Sequence, residues 1–299
     1  MSPSSPTERT SATPLERAAG LPIWTGPVAP EPLAGGITNQ NFTVRDAGRR
    51  FLVRIGGDIP EHMILRRFEL AAARAAHAAG LSPAVRHAEE GALVLDFIEG
   101  RSLDAADVRD AVNLDSLTEL VRRCHTEIPR HFRGPAPIFW VFQVVRDYAQ
   151  TLRASTPHDL GPLLAAAETL ERAIGSVEIV FGHNDLLPAN IIDDGSRLWL
   201  VDWEYAGFNS PLFDLGGLAS NAGMTPAERE ALLAAYYRRP PDAPLLRQAA
   251  AMTAASLLRE TMWSMVSELH STIDFDYAAY TAENRARFDA AFAAFEELR

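Results

Sequence analysis

The strongest constraint on this fold is a change of character near Asp104. Before it, short runs of β-branched and aromatic residues alternate with turn chemistry. After it, long amphipathic helical segments dominate, interrupted by one strand-and-loop insert from Glu178 to Trp203. Such a chain is expected to be α+β: a small β-rich lobe, a short linker and a larger, mainly helical lobe. The expected boundaries are a disordered tail at 1–14, the small lobe at 15–97, the linker at 98–103 and the large lobe at 104–299. A groove between two such lobes is a natural place for a ligand.

In the small lobe, Asn41–Arg45 and Phe51–Ile55 read as a hairpin joined by the turn Asp46–Arg49. Phe51, Val53 and Ile55 share one face of the second strand, and Leu52 and Arg54 share the other. A helix over 61–79 ends at Gly80, and a second hairpin, AVRH then ALVLDF, follows. Helices are expected over 107–127, 138–154, 161–174, 226–238, 243–271 and 276–298.

Composition excludes several functions. The net charge is −11 with no Lys/Arg-rich run, which argues against nucleic acid as a partner. An acidic surface would attract small cations. No apolar stretch is long enough to insert in a bilayer, and the Ser/Thr/Pro-rich start lacks the apolar core of a secretory signal. The single cysteine, Cys124, rules out an intrachain disulfide and suits the reducing cytoplasm.

The insert carries the chemistry. It reads FGHNDLLPANIIDDGSRLWLVDWEYAG, with Asp185, Asn190 and Asp202 in otherwise apolar surroundings. The DDGS turn makes the strands around it a hairpin, which brings Asn190 and Asp202 to the same end. Phosphoryl transfer needs this equipment: a carboxylate to orient a hydroxyl and take its proton, and two oxygen ligands to hold Mg²⁺ against the phosphates of ATP. Asp185 is the candidate base, and Asn190 and Asp202 are the candidate metal ligands. Glu204 either assists the metal or is a solvated carboxylate beside the groove, and His183 is an orienting or packing residue. The small lobe offers Gly35-Gly36 with Thr38 and Asn39 as a phosphate-binding turn. Arg54 is a strand cation for the α- and β-phosphates, and Glu69 on the next helix could pair with it.

These pieces resemble the choline and ethanolamine kinase family, within the aminoglycoside phosphotransferase-like group. The resemblance rests on LAGGITNQNF, FLVRIGG, HNDLLPANII, VDWEYAG and the segment from Leu257 to Phe288. It implies a protein-kinase-like two-lobed fold, with adenine against the linker near Asp96–Glu99. It also implies catalysis by Asp185, metal binding by Asn190 and Asp202, phosphate binding by Arg54, and a bracing role for Asp214. A choline-like acceptor needs ring faces and carboxylates. Tyr205, Glu260, Trp263, Tyr277 and Tyr280 match positions that line the family's acceptor pocket, with Glu260 where many choline kinases carry a second tryptophan. That carboxylate suits choline, ethanolamine or a larger amine. An aminoglycoside, thiamine or homoserine kinase is the competing reading within the fold. A catalytically inactive binding module and a metal-dependent hydrolase are the competing readings outside it.

Overall fold

The computed structural model of the chain describes residues 12–34, 38–153, 155, 157–271 and 273–298. Its contacts divide into two compact units: residues up to 57 with 85–97, and residues 58–84 with 98 onward.

The first unit opens with α1 (Pro14–Ala19). Thr13 and Glu16 cap it reciprocally, and Pro14 takes the first helical position, where its missing N–H is not needed. Thr13 and Pro14 thus belong to a capped helix and not to the tail expected over 1–14. Residues 1–11 lie outside the described residues. Strands β1 (Glu31–Leu33), β2 (Gln40–Asp46), β3 (Arg49–Ile55), β4 (Val85–Glu89) and β5 (Ala92–Asp96) form one antiparallel sheet in the order β1-β2-β3-β5-β4. The β2–β3 hairpin closes through Ala47 (φ 47°) and Gly48 (φ 76°), the two positive-φ residues that a twist-matched two-residue turn requires. Phe51, Val53 and Ile55 face a core with Phe42, Val44, Val94 and Ala18, as their alternation predicts. Arg54, on the other face, is 7% exposed and pairs across the ladder with Asn41 and Leu93.

The second unit contains α2 (Arg66–Ala78), preceded by the short 3₁₀ turn Pro60–His62. The helix expected from Glu61 is interrupted at Met63, whose φ of 59° is left-handed. It continues with β6 (Arg101–Ser102), α3 (Ala105–Arg109), α4 (Leu114–His131), α5 (Val141–Leu152) and α6 (Gly161–Ile174). Asp104 caps α3 and Asp110 leaves helical backbone, so the helix expected over 107–127 is two helices. Then come β7 (Val180–Gly182), β8 (Ile191–Asp193), β9 (Leu198–Leu200), β10 (Gly207–Asn209), α7 (Pro211–Asn221), α8 (Pro226–Tyr237), α9 (Ala243–His270) and α10 (Tyr277–Glu297). Two small sheets form, β7 with β10 and β6-β8-β9.

Helix α9 organises this unit by packing against α5, α6, α7 and α10. It is buried almost continuously from Ala251 to Ser267, as a helix surrounded by others must be. Gly216 of α7 allows close approach, because a Cβ there would stand 2.9 Å from the Thr253 backbone nitrogen. No helix among the described residues is long and apolar enough to cross a membrane.

Candidate active site

The β8–β9 hairpin builds the centre of the site. Ile191 pairs with Leu200, and the Val201 N–H donates to the Asn190 carbonyl at 3.0 Å. That ladder brings Asn190 and Asp202 to the open end of the hairpin, as the turn between the strands predicts. Asp202 has a left-handed backbone (φ 71°), which Asp tolerates better than most residues and which turns the chain off the strand. The Asn190 amide donates to the Asp185 carbonyl at 3.0 Å, tying the loop of Asp185 to the hairpin and leaving the amide oxygen to accept or ligate. An amide oxygen and a carboxylate are hard donors, and Mg²⁺ in phosphoryl-transfer sites takes few protein ligands beside phosphate and water. These two donors fit a metal that takes its other ligands from a nucleotide and water.

The loop carrying Asp185 is fixed from behind. The Asp214 carboxylate accepts from the His183 N–H at 2.8 Å, the Asn184 N–H at 2.7 Å and the His125 ring at 2.8 Å. Burial works to raise the Asp214 carboxyl, but the His125 hydrogen bond and the fields of His125 and His183 outweigh it and hold it below its ordinary value. Asn184 (φ 65°) donates to the Tyr205 and Gly207 carbonyls and accepts from Asn209. Gly182 is required here: a Cβ would stand 2.7 Å from the Asn184 amide oxygen. His183 is buried and bonded to the Val201 carbonyl, so it packs and orients.

Asp185 points the other way. Burial pushes its carboxyl well above the ordinary 3.8; Arg259 opposes that, while Glu260, Asp202 and Glu204 add to it. A small cavity of about 20 Å³ lies beside it, with Asn184, Asn221, Arg259 and Glu260 in its lining. The structure gathers the predicted acceptor residues around Arg259 and Glu260. Trp263 Nε1 donates to the Tyr205 hydroxyl at 2.8 Å, and the Tyr280 hydroxyl donates to Glu260 at 2.8 Å. Tyr277 and Tyr280 lie 6.1 and 6.4 Å from Trp263, centroid to centroid. Tyr205, Trp263 and Tyr277 are buried; Glu260 and Tyr280 are half-buried. Glu204 is not a solvated carboxylate: it is 7% exposed and accepts from Arg66 at 3.0 Å. The same Arg66 nitrogen bonds Glu69 at 2.8 Å, and Glu69 is buried and not at the helix surface.

Several members were not singled out in the sequence. His62 stacks on Trp263 at 4.7 Å; burial, aided by Arg259 and His270, holds it at about 3 and therefore neutral. Phe275 stands over Tyr277 and Tyr280 at 5.0 and 5.7 Å. Arg259 lies 4.3 Å from the centre of the Tyr205 ring. The signal for Arg259 was its place, one residue before Glu260 in an apolar run. On the nucleotide side, Gly35 and Gly36 lie outside the described residues. Thr38 and Asn39 are joined by a 3.2 Å bond between their side chains, and Asp96 accepts from Arg49 and Arg86.

A five-stranded antiparallel sheet with a buried strand arginine, and a helical unit carrying an aspartate on a braced loop before the β8–β9 hairpin, define a phosphotransferase of the protein-kinase-like fold. The family model for choline/ethanolamine kinase matches residues 31–227, and the chain belongs to that family of ATP-dependent kinases with an alcohol acceptor. Protein LicA of Haemophilus influenzae is 27% identical over 278 residues, covering 88% of this chain and 79% of its own. A probable ethanolamine kinase of Arabidopsis thaliana is 26% identical, covering 84% of this chain and 76% of its own. The crystal structure of a choline/ethanolamine kinase family protein from Mesorhizobium loti matches with a TM-score of 0.76 at 26% identity, covering 94% of this chain and 95% of its own.

Proposed function

We propose that the chain transfers the γ-phosphoryl group of ATP, with Mg²⁺, to the hydroxyl of a small amino alcohol of the choline and ethanolamine type. The observation that carries this reading is the gathering of Trp263, Tyr205 and Tyr280 with Glu260, a carboxylate suited to meet an amine and one whose field is felt at Asp185. Trp263, Tyr205, Tyr277 and Tyr280 give the amine end an aromatic surround.

In this mechanism Asp185 accepts the hydroxyl proton as the acceptor oxygen bonds to the γ-phosphorus and the bond to the β–γ bridging oxygen breaks. Asn190 and Asp202 would hold Mg²⁺, which would neutralise phosphate charge when bound. Arg54 meets the α- and β-phosphates, with Gly35, Gly36, Thr38 and Asn39 supplying the backbone around them, and Glu69 completes the polar set with Arg66. Asp214 acts on none of the reacting atoms; it sets the loop that aims Asp185. A buried single cysteine and a need for ATP fit a cytoplasmic enzyme.

The test is acceptor-dependent ADP release from ATP and Mg²⁺ by the purified chain, against choline, ethanolamine, thiamine, homoserine and kanamycin. Turnover with an amino alcohol, absent in Asp185→Ala, is expected. Turnover with thiamine or kanamycin alone would overturn the acceptor class, and ADP release indifferent to Asp185→Ala would overturn the site.

A further inference from the structure

Four helices of the second unit, α7, α8, α9 and α10, enclose a cavity of about 350 Å³. Helix α7 separates it from the small cavity beside Asp185: Asp214 and Gly217 line that one, and Leu215 and Ala219 line this one. Its walls are apolar, with Leu232, Leu246, Ala250 and Phe295 among them. The polar side chain of the interior is Thr253, whose hydroxyl already donates to the Ala249 carbonyl at 2.9 Å. Exposed Glu230, Glu297 and Leu298 border the cavity, which therefore opens to solvent.

Native packing leaves few voids larger than a water molecule, whereas this size and lining are those of a small-molecule site. At the ~30 Å³ that a water takes in the liquid, the space holds roughly a dozen heavy atoms. A polar ligand in the interior would lose its water and find no partner, so the interior suits hydrocarbon.

One cation stands in the lining. Arg229, on α8, is half-buried and donates through Nε to the Met224 carbonyl at 2.9 Å. Among the described residues it has no ion pair: burial holds its basicity below the ordinary value, and no carboxylate field, from Glu230, Glu297 or elsewhere, offsets that. A guanidinium stays charged even so, and a partly desolvated charge without a counterion is costly. A ligand carboxylate would supply the missing charge and accept from the fork.

We propose that this cavity is a second ligand site, apart from the acceptor pocket, which binds a medium-chain fatty carboxylate with its headgroup on Arg229 and its chain between the four helices. Decanoate has about the number of heavy atoms that the space holds.

The test is calorimetric titration of the full chain with decanoate below its micellar concentration, beside hexanoate, octanoate, acetate and 1-decanol. Saturable binding of decanoate is expected, with a negative heat-capacity change from burial of the chain. Each added methylene from hexanoate to decanoate should tighten binding by about fourfold, and acetate should not bind. Decanoate should bind roughly tenfold more tightly than 1-decanol, and Arg229→Gln should erase that preference. Ala250→Phe, which fills the cavity, should abolish the binding of both. Should Ala250→Phe fail to fold, the chain-length series and Arg229→Gln still decide. An absence of saturable decanoate binding would overturn the proposal. So would equal affinity of the wild type for decanoate and 1-decanol, or decanoate binding unchanged in Ala250→Phe. A dimer in sedimentation that Ala250→Phe disperses, with no decanoate bound, would give the cavity to a second copy of this chain and overturn it as well.

Discussion

His183 and Asn184 precede Asp185 directly, yet the two sides of this loop treat polar atoms in opposite ways. On the bracing side, Asp214 collects three hydrogen bonds and Asn184 bonds two carbonyls and Asn209. On the other side, His62 Nδ1 is buried without a hydrogen-bond partner among the described residues, the Arg259 guanidinium has the Tyr148 hydroxyl and the Tyr205 ring beside it, and the Asp185 carboxyl is forced upward. The bracing side contributes rigidity, and the other side holds polar groups that are less completely bonded. Local rules that a protein breaks at one place and compensates nearby mark a functional site.

The same chemical change on the two sides should therefore act with opposite sign on stability. Asp185→Asn should lower turnover by about 10³-fold, within the range for a lost general base, while ATP binding persists. It should also raise the melting temperature by a few degrees at neutral pH. The sign follows from linkage: a carboxyl whose folded pKa is raised favours folding when protonated and loses that contribution as pH rises through the folded value. The gain should thus vanish below the ordinary 3.8, where the wild-type carboxyl is protonated in both states. The acid limb of the wild-type kcat/KM profile should lie above the ordinary carboxylate range and disappear in the variant. A melting temperature that falls in Asp185→Asn would break the contrast.

Asp214→Asn tests the other side. It replaces a buried carboxylate that accepts three bonds with an amide that can accept fewer, at a cost of about 2–4 kcal/mol by denaturant titration. Here the folded pKa is depressed, so the stability Asp214 contributes is present above 3.8 and is lost as pH falls through the folded value. The difference between variant and wild type should therefore shrink in acid, the reverse of a gap that grows. Turnover should fall with a largely unchanged acceptor KM, because the loop that aims Asp185 loosens while Glu260 and Trp263 stay in place.

Sequence carried the locally encoded half of this site. Asn190 and Asp202 meet because a DDGS turn and two alternating strands force them together, and neighbouring residues suffice to see it. The helix α7 was not visible: all its residues from Pro211 to Ser220 are buried, it contains two adjacent glycines, and it has no polar face to mark a period. Asp214 could thus be recognised only by resemblance, although its partner His125 and the loop it braces explain its role. Arg259 and Tyr148 are not legible because they meet from different helices, which no spacing encodes. Sequence alone leaves Glu204 equally a metal helper or a solvated carboxylate, because Arg66, its partner, lies far away along the chain. The aromatic positions were legible as a group, but not that Arg259 and His62 already cover rings of that group.

The smallest effect gives the sharpest comparison, because the chemistry deleted is identical. Tyr148 and Tyr236 each carry one phenolic hydroxyl in the helical unit. The Tyr236 hydroxyl meets His125 Nδ1 at 2.7 Å and so belongs to the bracing network through Asp214. The Tyr148 hydroxyl is buried beside the Arg259 guanidinium, in a contact that falls short of a well-formed hydrogen bond. Tyr236→Phe should cost about 1 kcal/mol, the net worth of a typical hydrogen bond. Tyr148→Phe should cost less than that, since it removes a desolvated hydroxyl held only by an imperfect contact with Arg259. Urea midpoints at unchanged slope read both. If Tyr148→Phe costs as much as Tyr236→Phe, its contact with Arg259 is a full hydrogen bond and the two sides do not differ in this respect. If it is neutral in stability yet raises the acceptor KM, the hydroxyl and Arg259 serve the substrate, and the contrast between the two sides becomes a division between folding and binding.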